Sequence, residues 1–362
     1  MTAELEKRKV PDIFTFFDGK KVETSEDWEK RKAELRSYFQ EEMYGVLPEK
    51  PLSVTSEIYY SEDNYCAGKA LLKKINLTLH FENNDFTFPI TSVIPKKKAK
   101  VTFLLINFRD NVPDRYYPTE EIIDSECAGI SFNYKDVSSD DNDFTNGLAG
   151  VFFENGERNN NGASKITLWA YAAMRVLDYI ETVPELDASR TVVIGHSRLG
   201  KTALFTGALD SRFYGVISND SGCCGAAITR GKIGETYKKI NDVFPFWFCK
   251  NFEKYAESKE EFKTDQNALI ALSAPNKVYV ASAEEDSWAD PYSEFLGIYS
   301  ASAAYGFYGK KGMNENCKFL NEPFKIHGEN CAYGMRSGTH YLGREDWQNY
   351  IEYFTKYTEV KK

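Results

Sequence analysis

The stretch Val192-Val-Ile-Gly-His-Ser-Arg-Leu-Gly-Lys201 constrains this chain more than any other. An apolar β-branched run ends at Gly195, a serine follows two residues later, and Gly200-Lys-Thr-Ala-Leu-Phe205 continues with helical spacing. The pattern describes a strand, a tight turn and a helix. Such a turn lifts one side chain off the end of a sheet and aims the next backbone N–H groups at whatever that side chain attacks. Ser197 would thereby gain both exposure and an oxyanion site. The usual spacing is G-x-S-x-G, whereas here Leu199 stands at the second glycine's place and Gly200 follows one residue later. An incidental serine in an ordinary strand-turn-helix has the same local pattern, so the remaining residues must decide.

The strand-helix alternation extends well beyond this turn. Val101-Thr-Phe-Leu-Leu-Ile106 is a continuous apolar run and reads as a buried central strand, followed by Asn107-Phe-Arg-Asp110 where open α/β sheets place ligand loops. Ala128–Phe132 reads as a strand, and after it a polar loop rich in Asp, Asn and Gly runs through Asn161, long enough to be either functional or mobile. Ser164 to about Thr182 has one apolar helical face, Gly215–Ser218 and Lys277–Ser282 read as strands, and Arg344 to about Lys356 as a closing helix. Residues 101–360 therefore predict one doubly wound three-layer αβα domain with a mostly parallel central sheet. Upstream, Ser25-Glu-Asp-Trp28 reads as a capping box opening a helix to about Tyr44, and alternating apolar residues from Ser53 to Pro95 predict antiparallel strands at one sheet edge. Residues 1–100 are thus expected to be an extension packed on the core, making 1–362 a single domain. Lys96-Lys-Lys-Ala-Lys100 reads as a solvated hairpin loop.

Composition excludes several functions. The net charge of −9, with no clustered Lys and Arg beyond that one short run, argues against nucleic acid or an anionic membrane surface as a partner. Seven cysteines show no C-x-x-C pairing and no histidine at ligand spacing, so neither a structural zinc site nor any other metal or cofactor is expected. The N-terminus is charged and no run of 18 uncharged apolar residues occurs.

A serine nucleophile needs a histidine base and a carboxylate to orient it, and in this fold class they follow in the order Ser, acid, His. Four histidines exist. His80 precedes the serine, and His196 is adjacent to it and leaves the turn in another direction. Of the two that remain, His340 lies in Arg336-Ser-Gly-Thr-His-Tyr-Leu-Gly343, a loop just before the closing helix, where the base belongs, whereas His327 is expected to serve a loop hydrogen bond. For the acid, Asp286 sits in Glu284-Glu-Asp-Ser-Trp-Ala-Asp-Pro291, just past a late strand, while Asp290 before Pro291 is expected to cap the following helix. Asp220, after the strand that follows the turn, is a second candidate. If both approach His340, the buried pair repels and one carries a raised pKa.

Gly195-His-Ser-Arg-Leu-Gly-Lys201, Asn219-Asp-Ser-Gly-Cys-Cys-Gly-Ala-Ala227, Gly234-Glu235, Phe244-Pro-Phe-Trp-Phe248, Ala283–Pro291 and Arg336-Ser-Gly-Thr-His340 together resemble the glucuronoyl esterases, carbohydrate esterase family 15, in their bacterial form. The likeness runs from about residue 100 to 355, and G-x-S-R-x-G-K is its specific part. It implies an α/β-hydrolase fold and hydrolysis of the ester joining 4-O-methyl-glucuronic acid of xylan to a lignin alcohol, with glucuronoxylan or its lignin esters as substrate. By the same resemblance Ser197 is the nucleophile, His340 the base and Arg198 a side-chain donor to the oxyanion. Lys201, Glu235 and Trp288 match positions that hold the uronic acid. Family members differ in whether the acid stands at the position of Asp220 or of Asp286. The former is often Glu, and the shorter Asp reaches less far, which favours Asp286. His196 replaces the cysteine of fungal relatives, so no disulfide is expected there. A monomer is expected; the resemblance leads us to expect an extracellular or periplasmic location, although this chain carries no signal peptide and a cytoplasmic one stays open. An acetyl xylan esterase or general carboxylesterase, or an inactive carbohydrate-binding relative, are the alternatives.

Overall fold

Ten strands form one continuous sheet in the computed structural model, which describes residues 1–313 and 316–356. They are β1 (Ser53–Asn64), β2 (Ala70–His80), β3 (Asp85–Pro95), β4 (Thr102–Asn107), β5 (Ala128–Asn133), β6 (Thr191–His196), β7 (Gly215–Asn219), β8 (Lys277–Ala283), β9 (Phe324–His327) and β10 (Cys331–Arg336). Their spatial order is β1-β2-β3-β5-β4-β6-β7-β8-β10-β9. From β5 through β10 neighbouring strands run parallel, and β1, β2 and β3 are antiparallel at one edge. β4 and β6 to β8 are buried along their whole length because helices cover both faces, which is why they read as unbroken apolar runs. β2, half-covered, alternates.

One face of the sheet packs against the helices Lys165–Ile180 and Arg198–Leu209 through Ile166, Trp169, Leu199 and Leu204. The other packs against Arg344–Thr355 through Trp347, Tyr350, Tyr353 and Phe354. Each such fully buried side chain contributes on the order of 2 kcal/mol. The N-terminal residues are tied into this frame by polar contacts as well as by strands. From the helix Ser25–Phe39, Lys32 Nζ donates to the Ala274 carbonyl at 2.6 Å and Arg36 Nε to that of Ala208 at 2.8 Å. Just beyond it, Tyr44 OH donates to the Cys224 carbonyl at 2.5 Å.

Several expectations need correction. The helix cap is Thr24, not Ser25: Thr24 Oγ1 accepts the Asp27 N–H at 3.1 Å and Asp27 returns the bond, because only that pair has the three-residue spacing with a carboxylate at its end. Lys96–Lys100 is not a hairpin loop, since β5 inserts between β3 and β4 and the run is a crossover at the sheet's end. The stretch after β5 is not structureless but contains the short helices Tyr134–Val137 and Gly147–Phe152. The sheet also has a second antiparallel edge, where β9 pairs with β10.

Candidate active site

All the parallel strands end on one rim, with Asn107, Asn133, His196, Asn219, Ala283 and Arg336 as their last residues. Ser197 follows β6 there at φ 59°, ψ −125°, a left-handed conformation that costs a non-glycine residue on the order of 1–3 kcal/mol. The turn closes because its glycines let backbone approach backbone. A Cβ on Gly195 would sit 1.9 Å from the Leu199 carbonyl oxygen, and one on Gly200 would sit 3.0 Å from that of Asn219. The displaced second glycine is therefore the one facing β7, while Leu199 is buried in the core. Ser197 N–H donates to the Asn219 carbonyl at 2.8 Å, and its own carbonyl accepts from Gly200 and Lys201. The N–H groups of Arg198 and Leu199 begin the helix and so have no intrahelical acceptor.

His340 lies beside the residue that precedes the serine, its ring centroid 4.5 Å from that of His196. His340 Nδ1–H donates to Asp286 Oδ2 at 2.6 Å, which fixes the tautomer and leaves Nε2 as the proton acceptor. Asp286 also accepts the Ala289 N–H at 3.1 Å. Burial alone would raise its carboxyl, but the hydrogen bond and charge of His340 more than reverse this and hold it below the usual range. Asp220 takes the other side. Its Oδ2 accepts the Tyr341 N–H at 3.3 Å and lies 3.5 Å from Arg336 Nη2, while Oδ1 is buried without a partner. Burial, then the charges of Glu294, Asp346 and Asp286, push its carboxyl well above the usual range, with Arg336 opposing. Ligand atoms of Asp220, Asp286 and His340 lie within 4.8 Å of one another, close enough to hold a metal ion. Two of those atoms are already engaged, His340 Nδ1–H with Asp286 and Asp220 Oδ2 with a backbone N–H.

His196 is buried and neutral, its pKa lowered to about 3 by burial first and then by His340. Its Nδ1–H donates to Asn219 Oδ1 at 2.6 Å, and Asn219 Nδ2 donates to Tyr350 OH at 2.9 Å. His80 is a surface residue bonded to Thr55 and Asp85. His327 belongs to β9 rather than to a loop, with Nε2 3.3 Å from Tyr279 OH, and its register opposite Ala332 puts it toward the start of β10, away from the rim. Asp290 caps the helix Pro291–Ala301, accepting the Ser293 N–H at 3.2 Å.

Arg198 points its guanidinium over the Trp247 ring at 4.5 Å and forms an ion pair through Nη1 with Asp140. Its Nε–H is buried without a protein partner. Lys201 is buried, donates to the Ser221 carbonyl at 2.5 Å and lies 3.8 Å from Glu235 Oε2. Glu235 N–H donates to the Trp288 carbonyl at 3.1 Å. Trp288 is 52% exposed, with Lys239 Nζ 4.9 Å from its ring centre. Lys201, Glu235 and Trp288 thus lie together beside the serine turn. Sequence reasoning overlooked three polar residues here: Asp140, Arg336 and Glu294. Glu294 accepts from Gly222 N–H at 2.8 Å and Ser282 Oγ at 2.6 Å, pinning the loop that carries Asp220 to the end of β8, and burial raises it to about 7. Asp140 and Glu294 take most of their partners from other parts of the chain, whereas Arg336 bonds mainly within its own loop and to Asp346 and reaches Asp220 from there.

Comparison with known proteins agrees with this geometry. The family described as glucuronyl esterase, fungi, matches residues 77–309, more than half of the chain. A carbohydrate esterase from an unknown prokaryotic organism is 30% identical over 97% of this chain and 90% of its own length. The 4-O-methyl-glucuronoyl methylesterase of Schizophyllum commune is 27% identical over 86% of this chain and 75% of its own. Among solved structures, the glucuronoyl esterase from Solibacter usitatus superposes with a TM-score of 0.87 at 30% identity, covering 97% of this chain and 100% of that one. With an α/β-hydrolase sheet and this degree of likeness along nearly its whole length, the chain is a carboxylic ester hydrolase belonging to the glucuronoyl esterase family, carbohydrate esterase family 15.

Proposed function

We propose that the enzyme hydrolyses esters of 4-O-methyl-glucuronic acid, such as those joining glucuronoxylan to lignin alcohols, by an acyl-enzyme route through Ser197, His340 and Asp286. The observation that carries this reading is the 2.6 Å bond from His340 to a carboxylate held ionised, with the His340 ring 4.5 Å from that of His196, the residue before a serine at positive φ. Support for the substrate comes from the relatives named as 4-O-methyl-glucuronoyl methylesterases.

In this reading Ser197 Oγ attacks the carboxyl carbon of the uronate ester while His340 Nε2 takes its proton. Asp286 holds the ring and stabilises the imidazolium. Negative charge gathers on the former carbonyl oxygen, where the Arg198 side chain and the N–H groups at the helix start stabilise it. His340 then returns the proton to the departing alcohol, and water repeats the sequence on the acyl-enzyme. Lys201 and Glu235 offer a donor and an acceptor to the sugar hydroxyls, and the open face of Trp288 suits its C–H surface.

Hydrolysis of benzyl glucuronate by the wild type and by Ser197→Ala tests the reading. The substitution is expected to cut kcat by at least about ten-thousandfold. More than a trace of remaining rate removes Ser197 as nucleophile. Faster turnover of acetylated sugars than of the uronate ester would leave the mechanism and overturn the substrate.

A further inference from the structure

The polar stretch after β5 and the aromatic segment Phe244–Phe248 meet at one carboxylate. Asp140 Oδ1 accepts the Trp247 Nε1–H at 2.7 Å, and Oδ2 accepts Tyr134 OH at 2.8 Å together with Arg198 Nη1. The Asp140 side chain is only 8% exposed. Burial first, and then Asp140, push the Tyr134 hydroxyl upward, so it serves Asp140 as a donor only. Aromatic rings pack around the guanidinium. Trp247 lies 4.5 Å and Phe244 5.3 Å from it, and those two rings stack on each other at 3.8 Å. Arg198 is therefore held at one nitrogen and packed among aromatic rings, with Phe108 at 5.8 Å as the third, and Nε–H remains without a partner in the protein.

We propose that Asp140 is a positioning residue for the esterase reaction, acting through Arg198 and never touching the substrate itself. The proposal rests on the reading of Arg198 as an oxyanion donor. A free arginine side chain samples many rotamers, and if it were ordered only as the oxyanion formed, that ordering would slow the chemical step. Asp140 orders it in the resting enzyme. A carboxylate near a developing anion would ordinarily oppose it, but here its charge is matched by the guanidinium and dispersed into the Trp247 and Tyr134 donors. Asn at this position keeps the size and one acceptor and loses the ion pair.

The test is a double-mutant cycle on the full chain, with benzyl glucuronate as substrate. Asp140→Asn should lower kcat by roughly 30-fold, the rate equivalent of one arginine's rotamer freedom, and change KM by less than about threefold. In an Arg198→Ala background the same change should cost nothing further. An unchanged kcat, or an equal loss on top of Arg198→Ala, overturns the proposal, because a merely structural carboxylate would slow both backgrounds alike. If Arg198→Ala alone leaves kcat intact, the oxyanion reading falls and takes the proposal with it. Should Asp140→Asn not fold, Trp247→Phe removes one donor to Asp140 and keeps a ring under the guanidinium. It should lower kcat about threefold, again only where Arg198 is present, and wild-type kcat in that variant overturns the proposal.

Discussion

The loops after β7 and β8 each bring one aspartate to His340, and their surroundings make them different acids. Asp286 meets the imidazole directly and is held ionised, whereas Asp220 faces a backbone N–H, a more distant guanidinium and three other carboxylates, and is pushed toward its neutral form. The same side chain at nearly the same place acquires opposite habits because one has the imidazole's hydrogen bond and the other has desolvation and like charge. Proximity alone would have ranked them equal.

Substitution is the sharpest way to break this contrast. Asp286→Asn should lower kcat by about a thousandfold to ten-thousandfold, since it strips the imidazolium of its partner, while Asp220→Asn should cost less than about tenfold. Steady-state kinetics on a uronate ester decides it, and a larger loss at residue 220 reverses the assignment. A middle-sized effect comes from Glu294, the strongest neighbouring charge raising Asp220. Its own pKa rises from 4.5 to about 7 on folding, so between those values the folded state holds a proton that the unfolded chain has released. Stability from this group is complete below about pH 4.5 and is lost as pH rises through about 7, by roughly 3 kcal/mol at the most. Glu294→Gln should therefore flatten the decline in Tm between pH 5 and 8. An unaltered slope would show that the group carries no proton in the native state. The smallest expected effect concerns the metal that Asp220, Asp286 and His340 could reach. Dialysis against EDTA should change kcat by less than twofold, and a loss restored by added zinc or calcium would make both aspartates ligands instead.

The serine turn was legible because it is local: an apolar strand, a glycine that admits the Leu199 carbonyl, and a helix all lie within one short run. His340 was legible by elimination, as chain order leaves few histidines. Asp140 was not, since its three donors, Tyr134, Arg198 and Trp247, are scattered along the chain and the polar stretch around it has no periodicity. The hairpin expected at Lys96–Lys100 failed for a related reason. Apolar patterning identifies β3 and β4 but says nothing about β5 inserting between them. β9 and β10 were missed because Phe324–His327 is short and half-buried, and Cys331–Arg336 mixes Gly, Tyr and Arg for packing and for the ion pair of Arg336 with Asp346.

The bond from Tyr44 to the Cys224 carbonyl reaches further than its size suggests. It joins the end of the N-terminal helical segment to the loop that begins at Asp220, so that loop is braced by a part of the chain far from it in sequence. A version pared back to residues 101–360 would retain Ser197, His340, Asp286 and Asp220, and lose the strut beneath the last of them. For anyone shortening this enzyme, the amino-terminal end already holds up one loop of the candidate site.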